Sequence, residues 1–413
     1  MKQSLDAYAA ITGRDVIDKL RQLARPLEGK TVVHVNSTRL GGGVAEILHK
    51  LIPLMNDLGI PTQWEIIEGN TDFYQCTKSF HNGLQGDEVI LKDHLLRNFE
   101  ETNRENAERL RDTLRNADFV FIHDPQPAPL LREIPQRTGH WVWRCHIDAS
   151  RPNRPVWKYL RPFVVGYDAS IFSLSDFAQP LPHPQYLIPP SIDPLSDKNI
   201  ELGPDEIAAV HDRFSIDAER PMILQVSRYD RFKDPVGVIQ GYRMAKHVLP
   251  GLQLVLAGGG ASDDPEGEVV LDEVHAAAGD DPDVHVLMLP SDAHRTINAL
   301  QRAADIVLQK STKEGFGLTV TEAMWKGKPV LGGNTGGIRL QVINHHTGFL
   351  VSSPEGVALR TRYLLTNRDI LEHMGRKAQA FVRDNFLLTR HLGEYLTLMV
   401  LLLSNGRNRV ELQ

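Results

Sequence analysis

The sequence predicts an α/β protein with two parallel-sheet domains of the Rossmann type, which we expect to face each other across a cleft. The chain has 413 residues, whereas single hydrophobic cores stop growing at roughly 250–300 residues. Strand-like and helix-like segments alternate in two successive runs, which is the pattern of parallel sheets covered by helices. A Pro- and Ser-containing stretch at 189–199 separates the runs, as is typical of a domain boundary. We therefore predict a first domain over residues 1–194 and a second over residues 195–385.

The composition disfavours several classes of protein. The formal net charge of −6 argues against a surface that binds nucleic acid. A hydrophobic fraction of 41% and a charged fraction of 24% are ordinary for a soluble globular protein. The two cysteines, Cys76 and Cys145, are too few for a disulfide framework and lack zinc-site spacing. They predict two buried free thiols in a reducing cytoplasm.

Neither end of the sequence predicts a membrane segment. The N-terminal residues MKQSLDAYAAITGRD contain no apolar core of signal-peptide length. The apolar run Leu396–Leu403 is far below the roughly 20 residues that a membrane span needs. It predicts a helix that packs against the body of the protein or against a partner subunit, as in a homodimer. One alternative for the C-terminal helix, over residues 386–413, is that it packs back on the first domain.

The first domain begins with a helical lead-in over residues 1–28, and valine-rich or aromatic runs then predict its strands. A 70–91 segment without clear periodicity is interpreted as a long connection, and long connections are often functional. Amphipathic spacing predicts a helix over 104–115. The predicted strands are 31–36, 63–67, 117–123, 140–147 and 168–174.

Two features of the first domain point to a ligand. Gly41, Gly42 and Gly43 lie between a strand and a helix, an arrangement that tolerates phosphate, although three glycines also make a plain loop. His146 and Asp148 come at the carboxyl end of the 140–147 strand, where open α/β sheets bind ligands. A single histidine is more often structural than functional, so its position alone leaves both roles open.

The second domain repeats the alternation. Its predicted strands are 221–226, 252–257, 284–289 and 305–309, with another starting at Lys328. Helical spacing covers 236–248 and 293–303, and the closing helices run from Pro354 onward. Asp281-Pro282-Asp283 and His345-His346 are interpreted as loop residues, because neither pair shows further metal-ligand spacing.

The segment from Lys313 to Val330 carries the strongest signal for a site. Glu314 lies in a Gly-Phe-Gly turn, and Glu322 follows eight residues later, predicted about two turns into a helix. Free amide groups at a helix start attract anions and hydroxyl-rich ligands. Two carboxylates at these places can hold hydroxyls at two ends of a ligand. The alternative is a capped helix with two solvated acids.

Arg228 and Lys233 lie five residues apart in the loop after a second-domain strand. A planar guanidinium and a compact ammonium together suit a diphosphate. Asp230 and Asp234 lie nearby in the sequence and could neutralise the two cations instead.

The combination of these motifs resembles the retaining GT-B glycosyltransferases of family 4, and nearly the whole chain takes part. Their second domain carries a Glu-x7-Glu motif, matched by Glu314 and Glu322, and an Arg and a Lys five apart, matched by Arg228 and Lys233. The pair His345-His346 departs from the family pattern, which affects that loop rather than the reaction. Several strings resemble the trehalose glycosyltransferring synthases in particular: HVNSTRLGGGVAEIL, FHNGLQG, HDPQP, WRCHIDASRPNR, PPSIDPLSDKN and EGFGLTVTEAMWKGKPV.

The resemblance implies roles for individual residues. Glu322 would bind ribose hydroxyls of a nucleotide, and Glu314 would hold glucose hydroxyls. Arg228 and Lys233 would bind the diphosphate, and His146 would lie near the transferred sugar. The remaining implied donor contacts are Gly42, Gly43 and the amides of Phe316, Gly317 and Leu318, and the implied acceptor contacts are Asn82, His123, Asp124 and Asp148.

The implied reaction joins glucose from a nucleoside diphosphate glucose, ADP- or UDP-glucose, to free glucose, giving α,α-trehalose reversibly. It requires no metal and no further cofactor, and its implied partners are these small molecules only. The alternatives are a retaining trehalose phosphorylase, which is a close relative, another glucosyltransferase of family 4, and a catalytically silent sugar- or nucleotide-binding protein.

Overall fold

Two six-stranded parallel sheets, each in its own unit, form the frame of the protein. A computed structural model describes residues 4–39, 42–259 and 265–404. The chain divides into a unit of Met1–Pro190 with Leu388–Gln413 and a unit of Ser191–Leu387. The Ile192 N–H donates to the Phe386 carbonyl at 2.9 Å, which places the 191–194 stretch with the second unit. The boundaries predicted from the sequence, at 194/195 and 385/386, differ from these by a few residues.

The strands alternate with helices along most of the chain. The strands are β1 Val32–Asn36, β2 Thr62–Ile66, β3 Phe119–His123, β4 His140–Arg144, β5 Ala169–Phe172, β6 Gln185–Leu187, β7 Met222–Val226, β8 Gln253–Gly258, β9 Val284–Met288, β10 Ile306–Gln309, β11 Val330–Gly333 and β12 Gly348–Val351. The helices are α1 Ala9–Thr12, α2 Arg14–Ala24, α3 Gly42–Asp57, α4 Thr71–Leu84, α5 Asp93–Asn116, α6 Leu130–Glu133, α7 Arg154–Val164, α8 Pro204–Phe214, α9 Pro235–Lys246, α10 Pro265–Ala278, α11 His294–Ala303, α12 Leu318–Trp325, α13 Ile338–Gln341, α14 Pro354–Thr366, α15 Arg368–Asn385 and α16 Leu388–Leu403.

The first unit has the strand order β2-β1-β3-β4-β5-β6, with every neighbouring pair parallel. Strands β1 and β3 are buried at every position, as expected of central strands covered by helices on both faces. The order reverses between β1 and β3, so the chain segments that follow these strands leave the same edge in opposite directions. That edge is where doubly wound sheets bind ligands.

The predicted long connection at 70–91 is wrong for most of its length, because residues Thr71–Leu84 form helix α4. The Asn70 side chain caps the helix by accepting a hydrogen bond from the Phe73 N–H. Phe73, Phe80 and Leu84 are fully buried, and the polar residues between them hide this spacing in the sequence. Asn82 therefore lies on a helix rather than in a loop.

The C-terminal helix α16 packs on α2 and α3 of the first unit. Its side chains Leu396, Leu398 and Met399 are buried there. Packing against the body, one of the two alternatives for this apolar run, is thus present within a single chain. Among the described residues, no helix combines the length and the apolar character that crossing a bilayer requires.

The second unit has the strand order β12-β11-β10-β7-β8-β9, again parallel throughout. In chain order this is the Rossmann arrangement, and the reversal falls between β7 and β10. Lys233 follows β7 and Glu314 follows β10, so both leave the switch point of this sheet. The prediction that Glu322 lies two turns into a helix is wrong: α12 begins at Leu318, which leaves Glu322 about one turn from its start.

The edge strands β6 and β12 were not predicted. Each has three or four residues, and such short runs carry little periodicity. The two cysteines are buried free thiols, as predicted.

Candidate active site

A lysine–glutamate pair lies at the switch point of the second unit. The Lys233 Nζ is 2.6 Å from the Glu314 Oε2, and both side chains are largely buried. The Ser311 hydroxyl lies 3.3 Å from the same carboxylate oxygen. An ammonium has three N–H donors, so Lys233 can hold Glu314 and still donate to an incoming anion. Folding thus joins two residues that are 81 positions apart in the sequence.

The side-chain amide of Gln225 in β7 braces the two loops that carry this pair. Its Nε2 donates to the Lys233 carbonyl at 3.1 Å, and its Oε1 accepts from the Lys310 N–H at 3.4 Å. The Thr312 N–H donates to the Phe232 carbonyl at 2.8 Å and ties the loops a second time. A fully paired buried amide of this kind fixes the relative position of both loops.

A second ion pair lies beside the first, between Lys310 and Asp234. The Asp234 residue has a left-handed backbone with φ of 46° and caps α9 through the Gly237 N–H. From the sequence alone, Asp234 could neutralise Lys233. The structure pairs it with Lys310 instead, so Lys233 is directed to Glu314.

Arg228 is not brought to the lysine–glutamate pair. Its side chain is 62% exposed, and its guanidinium lies 3.5 Å from the Asp230 carboxylate. The alternative that a neighbouring aspartate pairs with this cation is therefore observed. An exposed ion pair of this kind is weak and can open to an anionic ligand.

The turn around Glu314 is held in place by a second glycine pair. Gly336 has φ of 44°, and a Cβ there would lie 1.6 Å from the Glu314 carbonyl oxygen. The Gly337 N–H donates to the Gly315 carbonyl at 3.1 Å. The Gln341 side chain donates to the Phe316 carbonyl at 2.6 Å. This close backbone packing is possible only without side chains at the glycine positions.

Glu322 is deeply buried, with 3% of its surface exposed. The Lys198 Nζ lies 3.9 Å from its carboxylate. Lys326, one turn later, donates to the Glu322 carbonyl and to the Asn199 side chain, each at 3.1 Å. Burial lowers the pKa of Lys326 to about 7, and the Glu322 charge opposes that shift. Ribose binding by Glu322 stays a prediction. It requires a ligand to reach a side chain that is almost completely buried.

Three histidines lie in a row in the first unit. The His34 Nδ1 is 3.0 Å from the His123 Nε2, and the His123 Nδ1 is 2.9 Å from the His146 Nε2. The first two are buried and His146 is partly exposed. Both ring nitrogens of His123 are therefore occupied, and its side chain supports His146. The acceptor contact implied for His123 stays a prediction.

Asp124 positions His146 from the backbone side. Its Oδ1 accepts the His146 N–H at 2.7 Å, and its own φ is 63°. Burial raises the pKa of Asp124 to about 6, against the opposing effects of that hydrogen bond and of Arg144. The Asp124 carboxylate thus stabilises the loop that carries His146.

The other predicted residues of the first unit are spread over several elements. Asp148 accepts from the Ser150 N–H at 3.0 Å, and Asn82 lies partly exposed on α4. Gly42 and Gly43 form the first turn of α3, and Gly41 lies outside the described residues. Their contacts with an acceptor or a donor stay predictions.

Sequence reasoning missed Gln225, Lys310 and His34. Each is buried within or directly after a strand, where the surrounding residues are apolar. A buried polar residue inside such a strand was the available signal, because such groups need partners.

The acidic turn predicted at Asp281-Pro282-Asp283 is confirmed as structural. Asp281 and Asp283 lie 2.7 and 2.8 Å from the Lys246 Nζ, and Asp283 also pairs with Arg220. Within residues 4–39, 42–259 and 265–404 no group of three or more His, Cys, Asp or Glu side chains is arranged to hold a metal ion. The metal-free reaction stays a prediction.

Comparison with known proteins assigns each half of the chain. Residues 34–179 match the family described as trehalose synthase, N-terminal domain, and residues 207–381 match glycosyl transferases group 1. A similar solved structure is an alpha,alpha-trehalose-phosphate synthase (UDP-forming) from Burkholderia xenovorans in complex with glucose-6-phosphate. It superposes with a TM-score of 0.72 at 13% identity and covers 90% of this chain and 100% of that one. The two parallel sheets are those of the GT-B glycosyltransferase fold.

Relatives in sequence extend over both units. The trehalose synthase of Pyrococcus horikoshii is 46% identical over 402 residues, covering 96% of each chain. A trehalose phosphorylase of Pleurotus pulmonarius is 28% identical over 456 residues, covering 96% of this chain but 61% of that protein. The high identity over nearly the full length of the first relative shows that the chain is a hexosyltransferase of trehalose metabolism and belongs to the trehalose synthase family.

Proposed function

We propose that the protein transfers glucose from a nucleoside diphosphate glucose to free glucose with retention of configuration, giving α,α-trehalose. The observation that carries the proposal is the Lys233–Glu314 pair at the switch point of the second sheet. It offers a cation for a diphosphate next to a carboxylate that accepts hydrogen bonds from sugar hydroxyls. No further cofactor is invoked, and a cytoplasmic location and a homodimer stay predictions.

Breaking the anomeric bond leaves positive charge on the sugar and additional negative charge on the departing diphosphate. In this proposal Lys233 stabilises the leaving group, and Arg228 swings from Asp230 to add a second donor. The brace from Gln225 holds Lys233 in place before the reaction, so little reorganisation is needed as charge develops. Glu314 orients the hexose through its hydroxyls.

Retention is proposed to follow from attack on the face that the diphosphate leaves. The bond between the anomeric carbon and the diphosphate oxygen breaks while the acceptor hydroxyl oxygen bonds to that carbon. The acceptor proton passes to the departing phosphate oxygen, so the charges and atoms balance. Isolation of a glucose ester on any side chain would contradict this mechanism.

A donor screen tests the proposal. Purified protein is incubated with glucose and ADP-, UDP- or GDP-glucose, and the disaccharide is analysed by NMR for its anomeric configuration. Formation of α,α-trehalose together with free nucleoside diphosphate supports the proposal. Absence of any disaccharide from all three donors overturns it.

Trehalose phosphorylase is the second candidate, favoured only by the more distant relative at 28% identity. Trehalose mixed with ADP or with inorganic phosphate separates the two activities. The synthase releases nucleoside diphosphate glucose only when the nucleotide is present. Release of glucose 1-phosphate from the phosphate mixture would instead establish the phosphorylase.

A further inference from the structure

We propose that His34 and His123 are positioning residues that lock His146 in the tautomer with its proton on Nδ1, so that His146 donates a hydrogen bond and does not act as a base. The inference rests on the proposed function only for the identity of the acceptor atom, a hexose hydroxyl oxygen. The tautomer itself follows from how the three rings are arranged.

Three neighbouring strands bring the rings together. His34 lies in the middle of β1, His123 ends β3, and His146 follows β4, and these strands are adjacent in the sheet. The nitrogen–nitrogen distances of 3.0 and 2.9 Å are hydrogen-bond distances. The row runs from the interior, where His34 has 0% of its surface exposed, to the partly exposed His146.

The rings are neutral. Burial lowers the pKa of His34 to about 3, and burial lowers the pKa values of His123 and His146 well below their ordinary value. The buried guanidinium of Arg144 acts in the same direction on the latter two, as does His391. Asp124 is the acidic group beside the row, and its Oδ1 is engaged by the His146 backbone N–H.

A neutral imidazole has one N–H and one acceptor nitrogen, so both hydrogen bonds must run in the same direction. If they ran inward, the His34 Nε2 would carry an N–H. That nitrogen is buried and has no hydrogen-bond partner among the described residues. Orphaned buried N–H groups are rare, because losing a hydrogen bond to water without gaining another is costly.

If the hydrogen bonds run outward, each ring donates through its Nδ1–H. The buried His34 Nε2 then carries a lone pair and no hydrogen. The final Nδ1–H, on His146, then lies at the partly exposed end, where water or a ligand can accept it. The outward direction therefore leaves no buried N–H without an acceptor in this row of histidines.

The test is the tautomer of each ring, read by long-range proton–nitrogen NMR on full-length protein with ¹⁵N-labelled histidine and no substrate. We expect His34, His123 and His146 all to carry the proton on Nδ1 near neutral pH. A proton on Nε2 of His146, or a doubly protonated His146, would overturn the inference. Because no substrate is present, a failure of the proposed reaction leaves this result readable.

Variants at His34 test whether the interior ring sets the tautomer. His34→Asn keeps an N–H near the Nδ1 position and should preserve the tautomer of His146. His34→Phe removes the donor, so His146 should become a mixture of tautomers. With about half the molecules competent, the apparent KM for the nucleoside diphosphate glucose should rise about twofold. Phe121→Leu, which loses the ring stacked 4.9 Å from His34 but no donor, is the matched control and should keep the tautomer. An unchanged His146 spectrum in a folded His34→Phe protein contradicts the proposal.

Discussion

The side-chain amide of Gln225 donates to the backbone carbonyl of Lys233 at 3.1 Å. This hydrogen bond connects the interior of β7 to the loop whose ammonium meets Glu314. Gln225, which is buried within its strand, thus helps to fix the position of the Lys233 ammonium.

Gln225→Met should lower turnover without removing any group from the site. Methionine fits a similar volume but supplies neither hydrogen bond, which leaves a buried carbonyl and a buried N–H unpaired at about 1–3 kcal/mol. We expect a matching loss of the free energy of unfolding and a lower kcat. Gln225→Glu keeps the acceptor for the Lys310 N–H but sets a buried carboxylate oxygen against the Lys233 carbonyl, so it should also lose turnover. Unchanged kcat in both variants would show that the brace has no role.

Glu314→Gln should reduce trehalose formation by about 10²–10³ if the carboxylate orients the hexose in the transition state. Affinity for the free nucleoside diphosphate, measured by calorimetry, should not fall, because the nucleotide carries no hexose and Lys233 loses a competing negative charge. Glu273→Gln is the control, since that glutamate is a half-exposed partner of Arg231 on α10 of the same unit. Wild-type turnover in Glu314→Gln would refute its assigned role.

The two predicted diphosphate cations should differ in their effect on stability. Lys233→Ala leaves the largely buried Glu314 carboxylate without its closest cation, so we expect a loss of about 1–3 kcal/mol in unfolding free energy. Arg228→Ala removes an exposed pair and should change stability by less than about 0.5 kcal/mol. Both should lower donor turnover. Normal turnover in Arg228→Ala would mean that this arginine stays with Asp230.

Gly336→Ala should displace the Glu314 turn. The new methyl would lie 1.6 Å from the Glu314 carbonyl oxygen at a backbone φ of 44°, so we expect a destabilisation on the order of 2–4 kcal/mol and loss of activity. Gly251→Ala is the matched control, because the nearest atom to its added Cβ is the Arg220 Nε at 3.9 Å. Thermal unfolding and turnover of both variants measure the difference. Equal behaviour would contradict the close packing.

Asp124 should make stability depend on pH in the mildly acidic range. Its folded pKa of about 6 lies above the unfolded value of 3.8, so the folded state binds more protons between these values. The free energy of unfolding contributed by this group should therefore fall as pH rises from 4 to 6, by no more than about 3 kcal/mol. Asp124→Asn tolerates the left-handed backbone and cannot titrate. Denaturant unfolding at several pH values should show the fall in the wild type and its absence in the variant.

Much of the secondary structure, and part of the candidate site, could be predicted from local sequence patterns. Buried strands such as β1 and β3, the repeated alternation and the acidic motif at Glu314 are visible because they depend on residues close together in the sequence. Helix α4 escaped prediction since polar residues interrupt its apolar face, and the edge strands β6 and β12 are too short to show a period. Identity with known trehalose synthases agrees with the motifs that had suggested the family.

The partners of the charged and aromatic groups were decided only by tertiary structure. Lys233 meets Glu314 and not Asp234, and His123 joins His34 to His146. The sequence by itself determined most of the strands, apart from β6 and β12, and the residues that end them. Strand order and register then determined which of those ends become neighbours, because a hydrogen bond or ion pair between distant residues exists only once the sheet has brought them within about 3 Å.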